Sequence, residues 1–398
     1  MSRKSVLITR TVWLVSWVSL FTDISSEMLY PVMPAYLQTI GFTALGIGLL
    51  EGLAEAIVSW SKGYFGFWSD ASGKRMPFVR IGYLLSALGK GMLLLGKMPL
   101  LIFLSRSADR FGKGIRSAPR DAVLVAESKV EHRGTVFGFH RAMDTVGASI
   151  GPLMAMLCLW YYPGNYTLVF TVALAPACIS VLLTWLIAEP PSTPIVRQEK
   201  PVFTYVAYWR AVSPLLKKVF LGLLVFALAN SSDLFLLMRA KSMGWSDSGL
   251  IGLYVLYNLT YAALSYPVGK LADRRGMAFV NILGLLCFII VYAGFAFAND
   301  PMLLLPLLLV YGLFAACSEG MAKAWISKLV GKEEMATSLG FFAGINGLAA
   351  LLASSLTGWL WVSFSPTVAL SCSAVLSLLA LLWMWMIKNT SKKLVAKA

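Results

Sequence analysis

Gly66-Phe67-Trp68-Ser69-Asp70-Ala71-Ser72-Gly73-Lys74-Arg75 and Gly269-Lys270-Leu271-Ala272-Asp273-Arg274-Arg275-Gly276 decide the fold of this chain. Each is a short polar stretch between apolar runs, with an acid four residues after a glycine. Asp273 follows Asp70 by 203 positions, and the same offset carries Gly41 onto Gly244 and Arg120 onto Lys323. Ser25-Ser26-Glu27 matches Ser231-Ser232-Asp233 at 206. A repeat whose copies share one orientation is parallel, with a pseudo-twofold axis along the membrane normal.

The runs flanking these stretches are too apolar for a water-soluble protein. Of 398 residues, 58% are hydrophobic and 13% charged, with mean hydropathy +0.73. A soluble domain needs more charge to clothe its surface. The net charge of +15 would suggest nucleic acid in a soluble chain. Here it reads as loop Lys and Arg that set topology, with no nucleic-acid partner. Phosphate loops, nucleophile elbows and dinucleotide fingerprints are absent, so no enzyme activity is expected. The five cysteines fall inside apolar runs without a CxxC spacing, and His132 and His140 are the only histidines. Neither a metal site nor a cofactor is expected.

Window length and breakers give twelve spans, with cores at 11–37, 43–65, 79–96, 99–126, 134–160, 165–187, 217–239, 248–268, 277–298, 301–328, 335–361 and 366–387. The first is not a cleaved signal peptide, because it holds Asp23 and Glu27 and runs past Pro34. Lys and Arg crowd alternate loops, which places both termini in the cytoplasm of a bacterial inner membrane. The reading is an all-α integral membrane protein of twelve transmembrane helices in two six-helix halves. Residues 1–188 form the first half, 189–216 a cytoplasmic linker and 217–398 the second half. The linker is rich in proline, and its stretch 202–210 reads as a short amphipathic helix.

Charges at membrane depth mark candidate sites, because each costs roughly 2.5–3.5 kcal/mol at the bilayer centre. Span 4 sets Arg106, Asp109, Arg110, Lys113, Arg116 and Arg120 along one stripe at helical spacing. Arg106 is a candidate substrate residue. Arg116 and Arg120, with Asp121, stand between two readings, as functional charges or as ion pairs bracing a cytoplasmic gate. Asp23 and Glu27, four apart on span 1 and followed by Pro31 and Pro34, read as proton-coupling acids. Asp144 on span 5 joins them, and Arg141 beside it is a candidate substrate residue. Gly147 and Gly151 form a small-residue face for helix packing, and Pro152 follows to bend the helix. In the second half Asn230, Asp233 and Glu319 are candidate substrate residues, with Glu319 also placed to pair with Lys323.

These stretches resemble the major facilitator superfamily. Gly66–Arg75 resembles its loop signature G-x-x-x-D-R-x-G-R-R, with Ala71 in place of the first Arg; the second copy keeps Arg274. Arg110-Phe111-Gly112-Lys113-Gly114 resembles its R-x-x-Q-G pattern, with Lys113 for Gln. Gly147–Pro152 resembles the first half of its exporter signature, although Ala155 and Met156 stand where the family has Gly-Gly. The longer string Gly112-Lys113-Gly114-Ile115-Arg116-Ser117-Ala118-Pro119-Arg120-Asp121-Ala122 is similar to a subgroup of bacterial efflux-like carriers. The resemblance implies alternating access and a role for Arg110 in proton coupling. It also implies a gate shaped by Gly66, Asp70, Gly73, Arg75, Gly269, Asp273, Arg274 and Gly276.

The resulting expectation is a monomeric carrier in the lipid bilayer, exchanging protons for a small organic molecule and exporting it. The cargo stays open: uptake or export of an organic anion such as a siderophore or carboxylate, or export of a divalent metal, are alternatives. A receptor or assembly factor without flux is the reading from another class.

Overall fold

The computed structural model describes residues 8–30, 32–41, 44–189, 205–245 and 247–395. Pro31, and the side chains of Pro34, Glu51, Glu55 and Glu319, lie outside the described residues. Among those described there are helices and no strand. The first sequence half holds α1 (Arg10–Leu29), α2 (Met33–Thr39), α3 (Ala44–Ser72), α4 (Met76–Met92), α5 (Pro99–Ala126), α6 (Arg133–Tyr161) and α7 (Tyr166–Trp185). Linker helix α8 (Tyr205–Ala211) is followed by α9 (Pro214–Ala229), α10 (Leu234–Ser242), α11 (Asp247–Arg275) and α12 (Met277–Phe297). The chain ends with α13 (Leu304–Leu329), α14 (Met335–Ser363) and α15 (Pro366–Val395). Among the described residues α6, α7, α12, α13, α14 and α15 are long and apolar enough to cross a bilayer by composition alone. α5 is long enough but carries the charge stripe.

Spans 1 and 7, read from the sequence as single spans over 11–37 and 217–239, are each two helices. α9 ends where the Asn230 N–H closes on the Phe226 carbonyl, and the Ser232 N–H turns away to Ser354 Oγ at 3.1 Å. Asn230-Ser231-Ser232-Asp233 is a run of short polar side chains that compete with helical backbone bonds. α1 stops at Leu29, so the first helix of each half is interrupted, although Ser25–Glu27 lie inside α1 while their counterparts Ser231–Asp233 lie in the break.

Two compact units emerge. One comprises residues 1–129, 143–205 and 330–344; the other comprises 130–142, 206–329 and 345–398. Each therefore takes a helix start from the opposite sequence half. In the first unit α4 packs on α5 and α7, α3 on α5, and α1 on α7. In the second, α12 packs on α13 and α15, α11 on α13, and α9 on α15. The pairing is the same in both, so the sequence repeat is a repeat of packing. The first core is apolar around Met28, Leu37, Ile102 and Phe170, the second around Phe288, Tyr292, Phe295 and Leu304.

Glycines let the charged α5 approach α4 closely. A Cβ on Gly82 would meet the Gly112 carbonyl at 2.7 Å, and one on Gly89 the Ser105 carbonyl at 2.7 Å. The start of α4 is held by a residue just beyond α7. Glu189 accepts from the Arg75 N–H at 2.6 Å and the Met76 N–H at 2.9 Å. In return Arg80 donates to the Ile187 carbonyl at 2.9 Å and lies over the Trp185 ring at 4.9 Å. An acid capping free N–H groups stabilises a helix by about 1 kcal/mol. Glu189→Ala should therefore lower stability by roughly 1–2 kcal/mol, read as a lower thermal midpoint in detergent; an unchanged midpoint would show the cap to be idle.

Candidate functional site

In the first unit the glycine face of α6 lies on α1 at the level of its two acids. A Cβ on Gly147 would meet the Leu20 carbonyl at 2.5 Å and Asp23 Cβ at 3.2 Å. One on Gly151 would meet the Ile24 carbonyl at 2.6 Å, Met28 N at 2.9 Å and Glu27 Cβ at 3.0 Å. α6 runs helically through Pro152. This close seam brings the carboxyl group of Asp144 within interaction range of that of Asp23. A carboxylate only accepts, so a bond between two carboxyl groups needs a proton on one of them. The Ser19 hydroxyl donates to Asp144, and Arg120 donates to Ser19 at 3.1 Å. The result is a relay from α5 across α1 to α6.

The α5 stripe surrounds this pair with charge. Lys113, Arg110 and Lys90 lie within charge–charge range of Glu27, and Lys113 within range of Asp23. Asp109 is buried, takes a hydrogen bond from Ser86, and has Lys90, Arg110 and Arg106 around it. Lys90 also donates to Ser26 at 2.9 Å. Arg116 lies over the Tyr83 ring at 4.4 Å, and Arg120 pairs with its neighbour Asp121 at 2.9 Å. The contacts of Arg116 and Arg120 therefore run to α4, to α1 and to the neighbouring Asp121. Asp109 and Lys113, named on the stripe without a role, belong to the network together with Lys90 of α4. Their place on the α5 stripe and opposite it was the available signal.

The two loop acids cap helix starts. Asp70 Oδ2 accepts from the Thr337 N–H at 2.7 Å and the Thr337 hydroxyl at 2.9 Å, at the first turn of α14. Asp273 accepts from the Gly134 N–H at 3.0 Å and from the Thr135 N–H and hydroxyl, both at 2.7 Å, at the first turn of α6. Both uses fit the positive end of a helix dipole. Gly66 and Gly269 make the approach possible, since a Cβ would collide with the Ala336 and Gly134 carbonyls respectively. Gly73 and Gly276 turn the chain after each acid at φ +64° and +93°, where a Cβ is disfavoured. Arg75 pairs with Asp70 at 3.6 Å. Burial pulls its guanidinium below the ordinary range, and Asp70 and Glu189 push it back. At the second acid the partner is Lys328 at 3.1 Å, while Arg274 is exposed.

In the second unit Asp233 accepts from the Tyr257 hydroxyl at 3.1 Å and the Tyr311 hydroxyl at 2.5 Å. Arg141, although three residues from Asp144, groups with this unit. It donates to the Tyr261 hydroxyl and lies over that ring at 5.4 Å. Asn230 caps α9, and its buried Oδ1 has no hydrogen-bond partner among the described residues.

The chain has relatives that match this architecture. It is 33% identical over 382 residues to an uncharacterized MFS-type transporter of Methanocaldococcus jannaschii, covering 94% of each chain. It is 23% identical to a multi-drug resistance efflux pump PmrA homolog of Lactococcus lactis, covering 87% of this chain and 88% of that protein. Among solved structures, the E. coli fucose:proton symporter superposes with a TM-score of 0.77 at 12% identity, covering 94% of this chain and 98% of that one. The Major Facilitator Superfamily matches over residues 15–256 and again over 219–398. With the repeated packing, the paired loop acids and both matches in place, this chain belongs to the major facilitator superfamily and is a membrane transporter.

Proposed function

We propose that this transporter couples proton movement to the export of a small organic molecule by alternating access. It works as a monomer in the bacterial inner membrane, with both termini cytoplasmic. Asp23 and Asp144 share the mobile proton, Glu27 sits one turn further along α1, and Arg110 tunes that acid by its charge. The observation that supports this reading is the close approach of the two carboxyl groups at the Gly147–Gly151 seam, where a shared proton would bond them. A pair that needs one proton to persist separates when that proton leaves, and the seam then feels two like charges. The Asp70 and Asp273 caps hold the cytoplasmic helix starts in one state and release them in the other. The efflux description of the Lactococcus lactis relative supports the outward direction. Because Arg106 and Arg110 lie around Asp109, they support an anionic cargo less than their number alone would.

The test is flux in liposomes holding the full-length protein. A pH gradient drives a panel of dye, organic anions and divalent metals, with Asp23→Asn and Asp144→Asn beside the wild type. Gradient-driven flux should fall at least about tenfold in both variants, the scale of a lost proton-transfer group. Flux within about twofold of wild type in both would remove the proton assignment.

A further inference from the structure

The geometry points to Asp233 and the tyrosines around it as a seat for an organic cation: a protonated amine or quaternary onium centre on an apolar body. This rests on the reading of the chain as a carrier of small organic molecules and names the class of cargo.

Asp233 differs from the acids of the first unit. Asp23, Glu27 and Asp109 each have Lys or Arg within charge–charge range. No cationic side chain among the described residues acts on Asp233; its partners are phenol hydroxyls, one to each carboxylate oxygen. A carboxylate has about four acceptor positions, so two phenols leave room for further donors. An acid at membrane depth without a protein counter-charge is costly, and a cation arriving from solution relieves that cost.

The walls suit the same guest. Tyr257 stands 5.3 Å from Tyr311 and 5.7 Å from Tyr254, ring centre to ring centre. Tyr254, Tyr257 and Asp233 are half-buried rather than sealed. Aromatic faces beside a carboxylate attract cations by about 0.5–2 kcal/mol per ring. The tyrosine row of α11 already does this once with a protein group, since Arg141 lies over Tyr261, which stacks on Tyr257 at 6.5 Å and 15°. Phe226, packed on Phe288 at 5.1 Å, offers apolar surface for the body of the guest. The unpaired Oδ1 of Asn230, one turn before Asp233, is an acceptor for an ammonium N–H.

The experiment uses two probes of the same shape and opposite charge, tetraphenylphosphonium and tetraphenylborate. Binding to the purified full-length protein is measured by titration calorimetry without any gradient. The wild type should bind the phosphonium at least about tenfold more tightly than the borate. Asp233→Asn should lose at least about tenfold of the phosphonium affinity, and Asp233→Glu should keep it within about threefold. Equal binding of the two probes, or a monodisperse Asp233→Asn within about twofold of wild type, would overturn the proposal. If Asp233→Asn does not fold, the wild-type comparison and Tyr257→Leu decide. The latter should weaken phosphonium binding about fivefold, and unchanged affinity overturns the proposal. Selective phosphonium binding with flux indifferent to Asp23→Asn would sink the proton reading and leave this one standing. Flux that needs Asp23, with no preference between the two probes, would do the reverse.

Discussion

Gly151→Val should remove most of the folded protein from the membrane. The atoms its side chain would meet are the Ile24 carbonyl oxygen at 2.6 Å and Met28 N at 2.9 Å, and both are backbone. A rotamer change cannot clear them, so α1 and α6 must part along the seam. Overpacking a close contact costs typically about 1–3 kcal/mol, and a β-branched residue against backbone belongs at or above the upper end. Against a total stability on the order of 5–15 kcal/mol, that is a large fraction. The yield of monodisperse protein by fluorescence-detected size exclusion measures it. Gly151→Ala should give an intermediate yield. A Gly151→Val protein with wild-type yield and thermal midpoint would show that the two helices do not meet there.

Asp70→Asn combined with Asp273→Asn should expose the starts of α14 and α6 to solvent. Each substitution keeps the size of the side chain and removes the charge from its hydrogen bonds. Asp70 accepts two bonds from Thr337, and Asp273 three from Gly134 and Thr135 besides its pair with Lys328. Bonds to a charged group contribute about 1.5–3 kcal/mol each, and Asn retains part of that. A joint loss of about 3 kcal/mol corresponds to roughly a hundredfold shift in population. Ala336→Cys places a thiol at a fully buried position beside the Asp70 cap. Its labelling by a membrane-impermeant maleimide should speed up by about two orders of magnitude in the double variant. An unchanged rate would show that the caps do not keep these helix starts closed.

What could be read before the structure follows the range of the interactions. The loop acids were legible because both copies sit in one short motif, and Gly66 and Gly269 carry their reason four residues upstream. Asp23 and Glu27 were legible from spacing alone, as was the small-residue face of Gly147 and Gly151. That this face meets α1 at those two acids was not legible, because the pairing of helices over 100 residues apart has no local code. The same limit hid the grouping of Arg141 with Tyr261 rather than with Asp144. The break before Asp233 lacked a proline to announce it, and only the run of short polar residues 230–233 pointed there. Glu189 looked like the first residue of a linker, and nothing nearby in sequence indicated the N–H groups of Arg75 and Met76.

The Asp70 bond to Thr337 spans 267 positions of chain. At roughly 5–20 residues per second, a ribosome needs on the order of 15–50 s to travel from one partner to the other. The rest of the first half, α4 to α7, is made early in that interval, while the segment that completes its compact unit is still unwritten. The nascent first half therefore waits in the membrane with Asp70 held by Arg75 but lacking its Thr337 donors, and with its Gly66 face uncovered. Lateral insertion must tolerate that open form, and the last quarter of synthesis is when the protein first acquires the arrangement described above.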